Sequence, residues 1–465
     1  MRVKHETQNV ETYATCESLE SGSLAFPLHP SYHLHMAAQP EQASILSFEE
    51  ARAVVEDHAS RLRPKGKELL GLLDAQGRVL AEPVYADRDF PPFPRATRDG
   101  YAVRAADLEK LPADLQIIGE VKAGGAESGL SVQSGQAVAI MTGAPVPKGA
   151  DAVVMIEHST RSGNRVQALR RIAAHENIVA AGAEAKRGDK LLSPGVRVGY
   201  AEIAVGASVG RSRVVVHAKP RVAVLSTGDE VVDIDVPPGP NQIRNSNTYS
   251  LAAQVQAAGG DPVLLPIAPD EPARLRELLL EGLDSDLLLI TGGVSMGKYD
   301  LVEQELAELK AEFFFTGAQI QPGKPVVYGR VPCGAGTPST ALRAGPAREG
   351  SGSYKYFFGL PGNPISTMVT FELFAKPMLE ALAGMLPRKL MFSHAKLKSE
   401  IRARTGLKRF LPAVLSGEFE RCEVELVRWQ GSGDIASVAR SNCYVVIPPD
   451  RERVEAGEWV PVLLR

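Results

Sequence analysis

Leu287-Leu-Leu-Ile290 runs directly into Thr291-Gly-Gly-Val-Ser-Met-Gly297. Four apolar residues closed by a glycine-rich turn is the pattern of a buried parallel strand handing over to a helix in an α/β domain. The three glycines let backbone N–H groups approach an anion closely, and the N-terminus of the following helix adds a favourable dipole. The loop therefore reads as a phosphate cradle, with Ser295 and Lys298 as additional donors. Its spacing is neither Walker A nor G-x-G-x-x-G, so no NTPase or dinucleotide assignment follows from the letters.

Working outward, strands are expected at 222–225, 263–267 and 287–290, alternating with helices at 247–258, closed by Gly259-Gly260, and 272–282. That alternation predicts a doubly wound parallel sheet with helices on both faces. Ligands of such sheets bind beyond the carboxyl ends of the strands. Three further loops fall there. Ser226-Thr-Gly-Asp-Glu230 holds two carboxylates behind a tight turn at Gly228. Pro322-Gly-Lys-Pro325 sets Lys324 on a stiff turn, and Gly359-Leu-Pro-Gly-Asn-Pro364 opens a long helix with proline at its first position. Asp270 and Asp300 join Asp229 and Glu230 near the same edge, and carboxylates beside a phosphate site suit Mg2+. Asp270-Glu-Pro272 and Asp300 read equally well as helix caps.

The 465 residues exceed what one core supports, so three or four domains are expected. Composition is that of a soluble globular protein, 44% hydrophobic and 23% charged, with no apolar run long enough to span a bilayer. A net charge of -3 and a pI near 6.4 argue against nucleic acid as a partner. Cys16, Cys333, Cys422 and Cys443 lack paired spacing, which excludes a disulfide framework or zinc site and fits a cytoplasmic location. Residues 1–43 read as a disordered extension, in which His33-Leu-His35 has no third ligand to make a metal site.

Ser47-Phe-Glu-Glu50 is a capping box ahead of a helix reaching about Leu62. Residues 44–82 and 179–218 are assigned to one discontinuous linking domain, 83–178 to a β-rich domain, 219–389 to the central α/β domain with a surface insertion at 331–354, and 390–465 to a C-terminal, barrel-like β domain. The expected whole is an elongated multidomain α/β plus β protein.

The four loops in this order closely resemble the molybdopterin molybdenumtransferase family, MoeA and the gephyrin E domain. The resemblance extends to Asp89-Phe-Pro-Pro-Phe93, Asp99-Gly-Tyr-Ala-Val-Arg104, Met141-Thr-Gly-Ala-Pro-Val-Pro147, Gln430-Gly-Ser432 and Ser441-Asn-Cys443, covering about residues 44–465. It implies a homodimer that inserts molybdenum from molybdate into adenylylated molybdopterin with Mg2+, releasing AMP, with a molybdopterin adenylyltransferase as a possible partner. Carried over by motif, Thr227, Gly228, Gly292, Gly293, Ser295, Gly297, Lys324, Pro361, Gly362 and Asn363 would bind the pterin substrate. Glu230, Asp270 and Asp300 would serve Mg2+ and the reacting pyrophosphate. Asp99 and Thr142 would enter from the partner subunit's β-rich domain, and Glu184, where the family often has an aspartate, would complete the catalytic set. Lys324, Lys408, Arg409 and Ser432 would hold molybdate.

Three departures qualify the pattern. Arg95-Ala-Thr-Arg98 replaces the family's Asn-Ser-Ala-Met, Gly317 and Gln321 stand where lysines are common, and the usual arginine is displaced in Thr405-Gly-Leu-Lys-Arg-Phe410, leaving Lys408 or Arg409 to substitute. The alternatives are adenylyl transfer to molybdopterin, pyridine-nucleotide amidohydrolase chemistry, or a non-catalytic scaffold.

Overall fold

Both faces of the sheet containing Leu287–Thr291 are covered, and every residue of that strand is buried. A computed structural model describes residues 45–124, 129–293, 301–333 and 354–465. The six strands of the central sheet lie in the order Asp261–Leu264, Arg221–Ser226, Leu287–Thr291, Tyr354–Leu360, Val327–Pro332, Glu312–Phe315. The first four are parallel, and Val327–Pro332 runs against both of its neighbours. Side-chain alternation divides the apolar runs between two cores. Val222, Val224, Leu287, Leu289 and Phe358 pack with the helices Ser246–Ala258 and Lys376–Leu382. Ala223, Leu225, Leu288, Ile290 and Phe357 pack with Pro272–Leu283 and Leu301–Glu308. Each such leucine contributes roughly 1.5–3 kcal/mol by burial.

Two edges differ from the sequence reading. The strand expected at 263–267 is Asp261–Leu264, because Pro262 and Val263 pair with Val222 and Ala223. The strand Val327–Pro332 continues through Val331 and Pro332, which pair with Lys355 and Tyr354, so these residues belong to the sheet and not to the insertion.

The long helix after Pro364 is interrupted. Pro364–Thr370 and Lys376–Leu382 are separated by a π-turn at Phe371–Ala375. Pro377 has no N–H for the carbonyl four residues earlier, at Leu373. The buried Arg52 guanidinium of the helix Phe48–Arg61 donates to that carbonyl instead. Phe48, Ala51, Val55 and Ala59 of the same helix enter the central core, so the first helix is welded to the central sheet.

Lys67–Gly71 pairs with Arg213–His217, and Val84–Tyr85 with Lys190–Leu192, joining segments from either side of a separate six-stranded sheet. That sheet has the order Ala152–Met155, Gly100–Val103, Gln136–Ile140, Ala113–Val121, Arg165–Ala168, Ser159–Ser162. Toward the C-terminus, Lys408–Ser416, Glu423–Leu426, Phe392–Leu397, Trp459–Leu464 and Cys443–Ile447 close into a five-stranded barrel through pairing of the last with the first. Ile320 and Gln321 of the central domain add to this barrel beside Lys408 and Arg409. Cys333, Cys422 and Cys443 are free thiols, whereas Cys16 and the N-terminal histidines lie outside the described residues.

Candidate functional site

The strand Arg221–Ser226 connects onward to Asp261–Leu264 on one side, while Leu287–Thr291 lies on the other, so the winding direction reverses between them. A crevice opens at such a switch point. Here it is a cleft of about 390 Å³. Its walls are Thr227 and Glu230 from the first loop, Gly292 and Gly293 from the second, and Pro361, Gly362 and Asn363 from the third.

The loops are held together by backbone contacts. Thr227 N donates to Thr291 O at 3.0 Å and Gly292 N to Leu360 O at 3.3 Å. Gly292 has φ 89°, and a Cβ there would sit 2.6 Å from Thr227 O. Only glycine combines that conformation with that approach.

The helix Ser246–Ala258 points its N-terminus at the cleft, bringing Asn245, Ser246 and Asn247 into the lining. Asn245 Oδ1 accepts from Thr248 N at 3.1 Å and from Ser226 Oγ at 3.0 Å, which fixes the first turn against the strand end. Asn247 Nδ2 donates to Thr291 Oγ1 at 2.9 Å and to Gly362 O at 2.7 Å, bridging the second and third loops. Its Oδ1, and the Oγ1 of Thr227, are buried without a partner among the described residues. Buried polar atoms are almost always satisfied, so these two are suited to a ligand. In the sequence Asn247 reads only as the edge of a helix. The signal was the run Asn245-Ser-Asn247, a helix N-cap following a parallel strand.

A second recess of about 490 Å³ shares Pro325, Pro361 and Asn363 with the cleft and is lined by Gln321, Lys324, Trp429 and Ser432. Ser432 O accepts from Ile365 N at 3.0 Å, docking the C-terminal domain onto the helix start. Lys324 forms no ion pair among the described residues. Lys408 and Arg409 separate, as neighbours on a strand must. Lys408 pairs with Glu49 and lies over the Phe48 ring, so its charge is engaged with the first helix. Arg409 is buried and lines an adjoining recess with Gln321, Arg404 and Trp429. Its Nη2 donates to Arg404 O at 2.5 Å, and its Nε has no partner among the described residues. Burial, and then the nearby Arg404 charge, lower its pKa. At Gly317 a Cβ would meet Ile45 Cγ1 at 3.1 Å and Lys324 O at 3.2 Å, so a longer side chain has little room.

The carboxylates meet at the rim. Burial raises the Asp270 pKa, and Asp229 and Glu230 raise it further. Asp270 does not cap the next helix. Glu271 occupies the cap position, and the Asp270 amide donates to Asp229 Oδ1 at 3.1 Å. Among the described residues no three His, Cys, Asp or Glu side chains converge to hold a metal ion. Ser295, Gly297 and Asp300 lie outside the described residues.

The remaining site candidates do not line the cleft of the same chain. Asp99 Oδ1 accepts from Thr142 N at 2.6 Å and Thr142 Oγ1 at 2.8 Å, and these bonds lower its pKa. Glu184 pairs with Arg95 at 2.7 Å, placing one arginine of the departing Arg95–Arg98 run against it.

Family models match the chain in three consecutive stretches: the MoeA N-terminal region (domain I and II) over 46–210, a probable molybdopterin binding domain over 223–381, and the MoeA C-terminal region (domain IV) over 394–464. Molybdopterin molybdenumtransferase from Nostoc sp. is 34% identical over 408 residues, covering 85% of this chain and 88% of that protein. The Bacillus subtilis enzyme of the same name is 32% identical, covering 85% and 89%. A crystal structure of the molybdopterin biosynthesis moeA protein from Pyrococcus horikoshii OT3 superposes with a TM-score of 0.70 at 29% identity, over 91% of this chain and 100% of that one. The chain belongs to the MoeA family of molybdopterin molybdenumtransferases, enzymes of molybdenum cofactor biosynthesis.

Proposed function

We propose that the chain transfers molybdenum from molybdate to adenylylated molybdopterin and releases AMP, acting as a homodimer with Mg2+. The observation that carries this reading is the cleft at the switch point, where glycine turns, a helix N-terminus and two polar atoms unpartnered among the described residues converge. Gly292 and Gly293 would present backbone N–H groups to the pterin phosphate, and Asn247 Oδ1 and Thr227 Oγ1 would bind and orient the substrate.

Molybdate fits the adjoining recess. Lys324 and Ser432 line it, and Arg409 lies behind Gln321 and Trp429 in the next one. Two cations with a hydroxyl are the donors an oxyanion takes. Arg409 is favoured over Lys408 because Lys408 is committed to Glu49.

The mutual repulsion of Asp229, Glu230 and Asp270 fits a bound cation. Glu230 and Asp270 would hold Mg2+ with Asp300 and the ligand's phosphate oxygens, where the ion offsets the charge of the pyrophosphate. Asp99 and Thr142 would reach the cleft from the partner subunit, and Glu184 would join the catalytic set. No protein nucleophile is needed, since binding, orientation and charge stabilisation account for the residues present. The test is reconstitution of a molybdenum enzyme by the purified chain and its Asp300→Asn variant. Loss of reconstitution with an unchanged melting curve supports the assignment; an Asp300→Asn chain as active as the parent refutes the metal role.

A further inference from the structure

At the amino ends of Leu287–Thr291 and Tyr354–Leu360, the opposite edge of the sheet from the cleft, lies a pocket of about 220 Å³. Five cations line it: Arg61, Arg63, Lys65, Arg330 and Lys355. Three are matched by carboxylates, Arg61 by Asp57 at 2.6 Å, Lys65 by Asp286 at 2.5 Å and Arg330 by Glu312 at 2.5 Å. Arg63 and Lys355 have no carboxylate partner among the described residues. Arg63 Nη1 donates to Ser60 O at 3.0 Å and Leu62 O at 2.7 Å, which covers the negative end of the first helix. Lys355 is held toward the sheet by Ser285 O at 2.7 Å and Asp284 O at 3.3 Å. The walls are planar. Arg330 lies 3.9 Å over the Tyr354 ring, and the His58 ring sits 4.2 Å from that of Phe314, tilted by 37°, with its Nδ1 buried and unpartnered among the described residues. Burial brings the His58 pKa down to about 4, so the imidazole is neutral at physiological pH and can donate or accept one further hydrogen bond.

We infer that this pocket is a second anion site that takes a phosphate dianion, either inorganic or borne by a nucleotide, with Arg63 and Lys355 as its two unmatched cations. Two cations held in no ion pair among the described residues suit a dianion, with the Asp286 and Asp284 charges also acting on Lys355. The guanidinium offers paired donors and the ammonium a point charge. Burial, then the Lys65 charge, lower the Lys355 pKa, and a bound dianion would offset both effects.

The test is calorimetric titration of the full chain with inorganic phosphate, pyrophosphate and AMP, in the wild type and in Arg63→Gln and Lys355→Gln variants. The double variant is expected to bind one pyrophosphate fewer per chain, and Arg63→Gln alone, an exposed change that spares the core, to weaken that event at least about tenfold. Acetylation of Lys355 followed by mass spectrometry gives a local readout in the unmodified chain, with protection expected from pyrophosphate and none at the exposed Lys398. Tighter protection by AMP than by phosphate assigns a nucleotide, and equal protection assigns the inorganic ion; both support the site. Unchanged stoichiometry in the variants, or no protection of Lys355 by any of the three, overturns it.

Discussion

Gly292 and Gly188 have nearly the same backbone conformation, φ 89° and 90°, but different surroundings. A Cβ on Gly188 meets nothing within 4 Å, whereas on Gly292 it would lie 2.6 Å from Thr227 O and 3.0 Å from Thr227 Oγ1. Alanine at either position incurs backbone strain of about 1–3 kcal/mol. Only Gly292→Ala also forces the first and second loops apart. Relief needs a shift of roughly half an ångström or more in the loop carrying Thr227, and misplacement on the order of 1 Å costs about a hundredfold in activity. Urea denaturation measures the strain, and turnover or AMP binding measures the site. The expected outcome is comparable destabilisation by both substitutions, with affinity and turnover reduced at least about tenfold by Gly292→Ala alone. Equal activity of the two variants would refute the claim that this contact shapes the cleft.

Asp270→Asn removes a carboxylate whose folded pKa is raised, so the native state resists its ionisation and its contribution to stability declines as pH rises through the folded value. A small gain in Tm is expected at pH 7 and is expected to vanish in acid, while turnover falls roughly a hundredfold; calorimetry across pH and an activity assay check both. Arg52→Met strands the Leu373 carbonyl exposed by Pro377 and is expected to cost about 1–3 kcal/mol in urea denaturation without changing ligand affinity. Mixing Asp99→Asn chains with Asp270→Asn chains is expected to restore about a quarter of wild-type turnover by random assortment into dimers with one intact site. Two inactive variants that stay inactive after mixing would place both residues in the same chain's site.

Local patterns were legible. The Ser47–Glu50 capping box forms as read, with Glu50 N donating to Ser47 Oγ at 3.2 Å and Ser47 N to Glu50 Oε2 at 2.9 Å, because both partners lie within one turn. The α/β class and the barrel-like C-terminal fold were likewise carried by runs whose period or burial is local. What escaped depends on distant pairing. The Asn247–Gly362 bond joins residues 115 positions apart, and Arg52 finds Leu373 across 321. Neither choice can be read from neighbours in the chain. The contest between Lys408 and Arg409 was undecidable in sequence because strand alternation sends them apart, and only the position of Glu49 decides which stays free. The cleft residues Thr227, Glu230, Gly292, Gly293, Pro361, Gly362 and Asn363 come together, whereas Asp99, Thr142 and Glu184 stand away from it.

The central claim is metal insertion at this cleft, and a single-turnover experiment tests it most directly. The purified chain is loaded with adenylylated molybdopterin, molybdate and Mg2+ are added, and AMP is measured by chromatography. The account expects one AMP per bound substrate, appearing only when molybdate is present. Tight binding of the adenylylated pterin with no AMP release under those conditions would contradict it.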